Sequence, residues 1–171
     1  MPGLNILIRL VKVLHSDTSP SQIAGGFILG MIIGLSPTMN LHNLLVVLFL
    51  CILNVNIAAG ILGYIVFSGV AFLMDSYFHS IGYYLLMELP DLKSVWVSMY
   101  NTPIIALTNF NNTVVIGSFV SALCLITPVF FLVRYLIDKY RVYIAERMEK
   151  WKIVKLIKGS KLYEIYQKVG G

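Results

Sequence analysis

Two uninterrupted apolar runs limit what this chain can fold into more than any other feature of its sequence. Ile57 to Met74 contains 18 residues and Val114 to Val133 contains 20, with no charged side chain in either run. As helices they would be about 27 and 30 Å long, enough to cross the hydrocarbon core of a bilayer. With 58% hydrophobic and only 12% charged residues, the chain carries more apolar surface than a soluble core absorbs. The sequence therefore predicts an all-α integral membrane protein with two full transmembrane helices.

A polar break divides the remaining apolar sequence near the N-terminus. Ile23 to Leu35 supplies 13 residues and Leu44 to Leu53 supplies 10, whereas a span needs about 20. The break contains Pro37 and is too polar to face lipid tails, so that protein or a watery cavity must surround it at membrane depth. We therefore expect residues 23–53 to form a Pro-broken re-entrant hairpin, with two short tilted spans as the alternative.

The first half of this hairpin carries two local signals. Ser19 and Gln22 flank a proline and predict a capping box at the start of a helix. Gly26, Gly30 and Gly34 follow at four-residue spacing, which lets another backbone approach closely inside a membrane. We interpret these glycines as a helix-packing seam rather than a binding surface.

The distribution of charge predicts the topology. Of the 13 Lys and Arg residues, 12 lie at the two ends, Arg9 and Lys12 before the apolar runs and ten from Arg134 onwards. The positive-inside rule then predicts cytoplasmic N- and C-termini and an external segment over residues 75–113. We expect amphipathic interfacial helices at both ends, because the basic residues there would lie against anionic headgroups.

These features divide the chain into a membrane domain, residues 1–137, and a basic amphipathic cytoplasmic tail, residues 138–171. The membrane domain should contain an interfacial helix, a re-entrant hairpin, a span, an external segment and a second span, over residues 1–16, 23–53, 57–74, 75–113 and 114–137.

The external segment resembles the first half of the chain in outline. At an offset of 66 residues, three pairs are identical: Pro37 and Pro103, Leu41 and Leu107, Asn43 and Asn109. A second broken hairpin, entering from the opposite face, would make an inverted repeat with binding sites where the two hairpins meet. Three identities also arise by chance, and that alternative stays open.

Two polar clusters are the candidate sites for a lipid headgroup or another substrate. The first contains Ser36, Pro37, Thr38, Asn40, His42 and Asn43, and the second contains Asn109, Asn111, Asn112 and Thr113. Polar groups at membrane depth are costly and tend to mark function, and a helix N-terminus favours an anionic headgroup. In the structural alternative, these side chains cap helices and satisfy broken backbone groups. His42 is the candidate for carrying a proton.

Several classes of protein are not indicated. The sequence has no P-loop, no nucleotide-binding glycine fingerprint, no metal-binding histidine pair and no Ser, His and acid set. Cys51 and Cys124 lie in apolar runs and are interpreted as small core residues. The basic tail lacks the interleaved aromatic residues of a nucleic-acid module. We therefore expect no enzyme activity, cofactor, metal site or nucleic-acid partner, and the oligomeric state stays open.

A resemblance adds to this interpretation. Gly30 to Gly34, Leu35-Ser36-Pro37, Leu41-His42-Asn43 and Phe110 to Val115 resemble a family of small bacterial inner-membrane proteins, domain of unknown function number twenty sixty-two. The resemblance covers most of residues 5–140. It implies a bacterial inner membrane and a gene neighbour encoding a long periplasmic protein that resembles the bridge-like lipid-transfer proteins. It implies no functional residue.

The functional expectation is an inner-membrane subunit that anchors, and loads lipid onto, a periplasmic phospholipid-transfer partner. Membrane phospholipid would be its ligand. One alternative is a small proton-coupled secondary transporter in which His42 relays a proton. Another is a purely structural membrane anchor, in which the polar clusters would act through folding alone.

Overall fold

The computed structural model describes residues 18–37 and 40–145 of the 171-residue chain. All regular structure in these residues is helical, which confirms the all-α class. The predicted helix over residues 1–16, the side chain of Thr38 and the tail beyond residue 145 lie outside the described residues. The α-helices are α1 Pro20–Leu35, α2 Leu41–Ile52, α3 Ile57–Tyr83, α4 Lys93–Tyr100, α5 Pro103–Ala106 and α6 Thr113–Tyr140.

Three short helical turns of other types join or extend these helices. A π-helical turn, Tyr84–Glu88, continues α3, a 3₁₀ turn, Pro90–Leu92, precedes α4, and a π-helical turn, Arg141–Ala145, continues α6. The chain divides into two compact units, residues 1–134 and 135–171. In the described part of the second unit, the Lys139 ammonium lies 5.6 Å from the centroid of the Tyr135 ring.

Two helices are long and apolar enough to cross a membrane. They are α3 with its extension, Ile57–Glu88, and α6 with most of its extension, Thr113–Tyr143. Only 17% and 22% of their most apolar windows are buried, so that most of their apolar surface faces outward, unlike that of a core helix in a soluble protein. α3 does not end at Met74, the predicted end of the span. Asp75 and the following residues up to Tyr83 are also helical.

Helix α1 begins and packs through sequence-local features. The predicted capping box is confirmed, because the Gln22 amide donates to Ser19 Oγ over 3.2 Å and the Ser19 amide donates to Gln22 Oε1 over 2.9 Å. Further along α1, Gly30 faces the carbonyl oxygen of Gly60, and Gly34 faces that of Tyr64. Residues later in α1 contact residues later in α3, so the two helices run parallel with their backbones in contact.

Glycines also bring α6 against α3, but in the opposite direction. Gly82 faces the Thr113 carbonyl, and Gly117 faces the Phe78 carbonyl. Residues later in α3 contact residues earlier in α6, so these two helices are antiparallel. The core that results joins α1, α2, α3 and α6 through six buried residues: Met31, Ile32, Leu35, Val46, Phe78 and Ala122.

Two expectations from the sequence meet a different local structure. Cys51 and Cys124 are exposed, so their interpretation as core residues is wrong; both lie on outward faces of apolar helices, where hydropathy does not distinguish a buried face from an exposed one. Asn43 lies inside α2, whereas its aligned counterpart Asn109 lies outside any helix with a φ of 55°. The offset of 66 therefore pairs residues of unlike conformation.

Candidate functional site: a carboxamide cavity between two polar tips

The first tip, residues 36–43, closes the break between α1 and α2. The carbonyl of Pro37 accepts hydrogen bonds from Asn40 Nδ2 and Asn43 Nδ2, each 2.8 Å long. Ser36 is buried and accepts a 3.4 Å hydrogen bond from the hydroxyl of Ser118, which lies on α6. Two carboxamides thus satisfy the backbone group that the break leaves without a helical partner.

Asn40 connects the segment before α2 with the segment before α6. It occupies the N-cap position of α2, but its side chain makes no capping hydrogen bond, so the capping interpretation is wrong for this residue. Instead its Oδ1 accepts a 2.8 Å hydrogen bond from Asn109 Nδ2, 69 positions along the chain. The side chain is engaged on both its nitrogen and its oxygen, and Asn40 joins the two predicted polar clusters directly.

His42 and Asn43 carry polar atoms without partners. The half-buried His42 ring lies 5.0 Å from the Phe119 ring, centroid to centroid, and next to the Thr108 backbone. Within the described residues, His42 Nε2 and Asn43 Oδ1 are the buried side-chain atoms that lack a hydrogen bond. Buried unsatisfied polar atoms are rare and costly, which marks this side of the first tip as a place for water or a proton.

The second tip, residues 109–113, begins with a backbone conformation that favours asparagine. Asn109 has a φ of 55°, in the left-handed region that Asn tolerates better than most residues. Asn112 then caps α6, because its Oδ1 accepts from the amides of Val114 at 2.9 Å and Val115 at 3.3 Å. The capping interpretation is confirmed for Asn112. Thr113 Oγ1 is hydrogen-bonded to His79 Nδ1 over 2.7 Å.

A cavity of about 370 Å³ lies between the tips. Its lining residues are Pro37, Asn40, Asn109, Asn111, Asn112 and Val115. Four of these six carry a carboxamide and none carries a charge. Asn111 is exposed and its side chain has no hydrogen bond within the described residues, and the oxygen of Asn112 is already engaged. The free amide nitrogens can donate to phosphate, ester or hydroxyl oxygens.

The structure gathers part of the predicted set and leaves the rest elsewhere. Ser36, His42, Asn43 and Thr113 do not line the cavity, and the glycine seam faces α3. The sequence interpretation missed Val115 in the lining and Ser118 beneath it. The available signal was a hydroxyl within an apolar span, which Ser118 shares with Ser121 and Thr127, since a buried hydroxyl needs a partner.

The lining has the chemistry of a binding site. It contains no nucleophile paired with a base, and in residues 18–37 and 40–145 no group of three His, Cys, Asp or Glu side chains is arranged to hold a metal ion. Hydrogen bonding and shape are what this cavity offers to a ligand.

Comparison with known proteins decides the family. The profile of a bacterial family described as "Uncharacterized protein conserved in bacteria (DUF2062)" matches residues 7–145. This chain belongs to the DUF2062 family. The match confirms the resemblance drawn from the glycine and proline motifs, and the DUF2062 region includes both tips and the cavity between them.

The chain is also similar to a second bacterial protein of known sequence. An "Uncharacterized protein" of Treponema pallidum (strain Nichols) is 25% identical over 159 residues, which cover 93% of this DUF2062 chain and 98% of that protein. No solved structure matches the chain. The cavity geometry is therefore the main guide to what this DUF2062 protein does.

Proposed function

We propose that this protein is a bacterial inner-membrane subunit that holds phospholipid headgroups between its two tips and anchors, and loads lipid onto, a periplasmic lipid-transfer partner. The observation that carries the proposal is the carboxamide cavity at the meeting point of the tips. It offers hydrogen-bond donors to headgroup oxygens in a protein whose long helices expose apolar surface. Binding sites of this kind, at the junction of broken segments, occur in membrane transport proteins.

The lengths of the helices support a re-entrant first hairpin. An exposed charged side chain is costly in hydrocarbon, so the exposed Asp75 limits the lipid-facing part of α3 to about the 27 Å between Ile57 and Asp75. α2 has 12 residues and rises only about 18 Å. In this proposal the chain enters and leaves from the cytoplasmic side, and the first tip lies in the outer half of the membrane.

The segment after Asp75 supports an approach from the other side. Residues 93–112 fold into two short helices and lead to Asn109, which bonds to Asn40 of the first tip. With α1 and α2 entering from the cytoplasmic face, this segment would enter from the periplasmic face. The pair would form an inverted repeat of topology, although the aligned residues differ in conformation.

The same external segment offers a surface for the periplasmic partner. Met87, Tyr100, Ile104 and Leu107 are each at least 61% exposed, and all lie beyond Asp75. Exposed apolar side chains of this kind are available for contact with another protein. A partner docked there would lie next to the cavity, where lipid could pass to it.

Purification of the tagged full-length protein from native membranes tests this function. We expect a periplasmic protein and enriched phospholipid to accompany it. Ile104→Glu should lower recovery of the partner, because it places a charge on the apolar surface, whereas Ser94→Glu, exposed on the same segment, should not. A monodisperse protein with neither partner nor enriched phospholipid would overturn the proposal.

The unpartnered Nε2 of His42 supports a second candidate, a proton-coupled secondary transporter. In proteoliposomes His42→Ala would then abolish a flux driven by a proton gradient, while His79→Ala, on α3 next to Thr113, would retain it. The lipid-loading function instead predicts a graded loss of lipid enrichment for His42→Ala and no proton-driven flux for either protein.

A further inference from the structure

A second cavity adjoins the first on the external side. It has a volume of about 250 Å³ and is lined by Leu86, Met87, Trp96, Val97, Tyr100, Phe110 and Asn111. The indole of Trp96 is fixed in its wall, because Nε1 donates to the Leu85 carbonyl over 3.0 Å. The Trp96 and Phe110 rings lie 6.1 Å apart, centroid to centroid. This second cavity therefore has a preformed aromatic wall.

Asn111 lines both cavities. On one side of it lie carboxamides, and on the other lie aromatic and aliphatic side chains. The two volumes together fall within the roughly 300–1000 Å³ typical of ligand sites. A molecule that fills both must be polar at one end and apolar at the other, which describes an amphiphile.

The free groups of the polar cavity indicate the kind of headgroup. The amide nitrogens of Asn40 and Asn109 already donate, to the Pro37 carbonyl and to Asn40 Oδ1, so the amide nitrogens of Asn111 and Asn112 are the groups left to donate. These suit phosphate or ester oxygens. No described lining residue carries a positive charge that would neutralise a net anionic headgroup, and an unpaired charge is costly to desolvate.

We propose that the joined cavities form a binding site for one net-neutral phospholipid. Its phosphate lies at Asn111 and Asn112, neutralised by the ammonium of its own headgroup, and one acyl chain lies against Trp96. This inference rests on the proposed function, for which it names the class of lipid.

Quenching of Trp96 fluorescence tests the site. The chain has two tryptophans, so Trp151→Phe leaves Trp96 as the reporter in the full-length protein. The protein is reconstituted into vesicles that contain a small, fixed fraction of lipid with brominated acyl chains, either phosphatidylethanolamine or phosphatidylglycerol. Phosphatidylethanolamine should quench more strongly than phosphatidylglycerol at the same fraction, because it enriches at the site.

Matched substitutions locate the effect. Asn111→Leu should reduce the enrichment of phosphatidylethanolamine at the site about fivefold, the factor that corresponds to one lost hydrogen bond, whereas Asn101→Leu, exposed on the same segment, should retain it. Val97→Phe should reduce quenching by filling the apolar cavity, whereas Val95→Phe, exposed two residues earlier but outside the lining, should not. Asn111→Lys should reverse the preference towards phosphatidylglycerol, a gain that misfolding cannot produce.

Equal quenching by the two lipids would mean random contact with bulk lipid and would overturn the inference, as would stronger quenching by phosphatidylglycerol. Unchanged enrichment of phosphatidylethanolamine in Asn111→Leu, or an unchanged preference in Asn111→Lys, would also overturn it. These outcomes are distinct from failure of the proposed function, since recovery of a periplasmic partner from native membranes does not depend on which lipid fills the site.

Discussion

Helices α1 and α2 are both short, apolar and adjacent in sequence, yet they occupy opposite environments. Eight of the 16 residues of α1 are buried, against three of the 12 residues of α2. α1 contains Gly26, Gly30 and Gly34 and contacts the backbone of α3, whereas α2 has no glycine and exposes Leu44, Leu48 and Phe49. Apolarity is the same on both sides of the break, so residue size is what separates the central helix from the peripheral one.

In the proposed membrane setting, the difference between α1 and α2 follows from how helices associate in a bilayer. Lipid tails are as apolar as leucine, so helices gain by close packing rather than by leaving the solvent. A helix with glycines at four-residue spacing can bring its backbone against another, while a leucine-rich helix packs as well against lipid as against protein. The following three changes test this difference, from the largest expected effect to the smallest.

Gly30→Ala should lower the free energy of unfolding the most. A Cβ at Gly30 would meet the carbonyl of Gly60, which belongs to helix backbone and cannot turn aside. We expect a loss of about 3 kcal/mol in the free energy of unfolding, at the upper end of overpacking costs, measured by denaturation in mixed detergent micelles. Gly69→Ala is the matched control, because nothing lies within 4 Å of its Cβ, and it should stabilise α3 by roughly 0.5–1 kcal/mol. Equal losses at the two positions would break the comparison.

Alanine substitutions at two leucines of α2 should differ in their effect on the free energy of unfolding by less than the two glycine substitutions. Leu50 is 8% exposed and packs on Gly60, while Leu48 is 50% exposed. In the same denaturation assay Leu50→Ala should cost about 2 kcal/mol through the cavity it leaves. Leu48→Ala should cost under about 0.5 kcal/mol, as surface changes do. A cost at Leu48 equal to that at Leu50 would show that α2 has a protein partner on its outer face.

The smallest effect concerns the hydrogen bond that joins the tips. A double-mutant cycle with Asn40→Ala and Asn109→Ala should give a coupling energy of about 1 kcal/mol, because the two side chains bond directly over 2.8 Å. Asn40→Ala with Asn101→Ala, which do not touch, should be additive. A coupling near zero in the first cycle would mean that the hydrogen bond between Asn40 and Asn109 does not stabilise the contact between the tips.

The local features of the fold were predictable from sequence because they depend on nearby residues. The Ser19 and Gln22 capping box, the two long apolar helices and the break at Pro37 all follow from patterns of a few residues. The end of α3 was not predictable from sequence, because the helix continues past Asp75 whereas the apolar run ends at Met74. The exposure of Cys51 was also beyond reach, since an apolar helix without a polar stripe does not reveal which face is buried.

The candidate site was only partly predictable for a related reason. The sequence identified which asparagines are polar groups among apolar residues, and four of them line the cavity. It did not reveal that Asn40 bonds to Asn109 rather than capping its own helix, because that choice depends on a contact between residues 69 positions apart. Nor did it distinguish Asn111, which has no bond of its own and lies between the polar and apolar cavities, from Asn112, which caps α6.

The parallel contact of α1 with α3 has a consequence for the order in which the protein assembles during synthesis. α1 leaves the ribosome before any of its partners exist: Gly60 follows Gly30 by 30 residues, and the hydroxyl partner of Ser36 follows by 82. In the proposed membrane topology, the polar first tip has until then no protein to shield it from hydrocarbon, which backbone of this kind requires. In that topology the first hairpin must wait beside the insertion machinery or at the membrane surface, and enter the bilayer together with α3 and α6 as one unit.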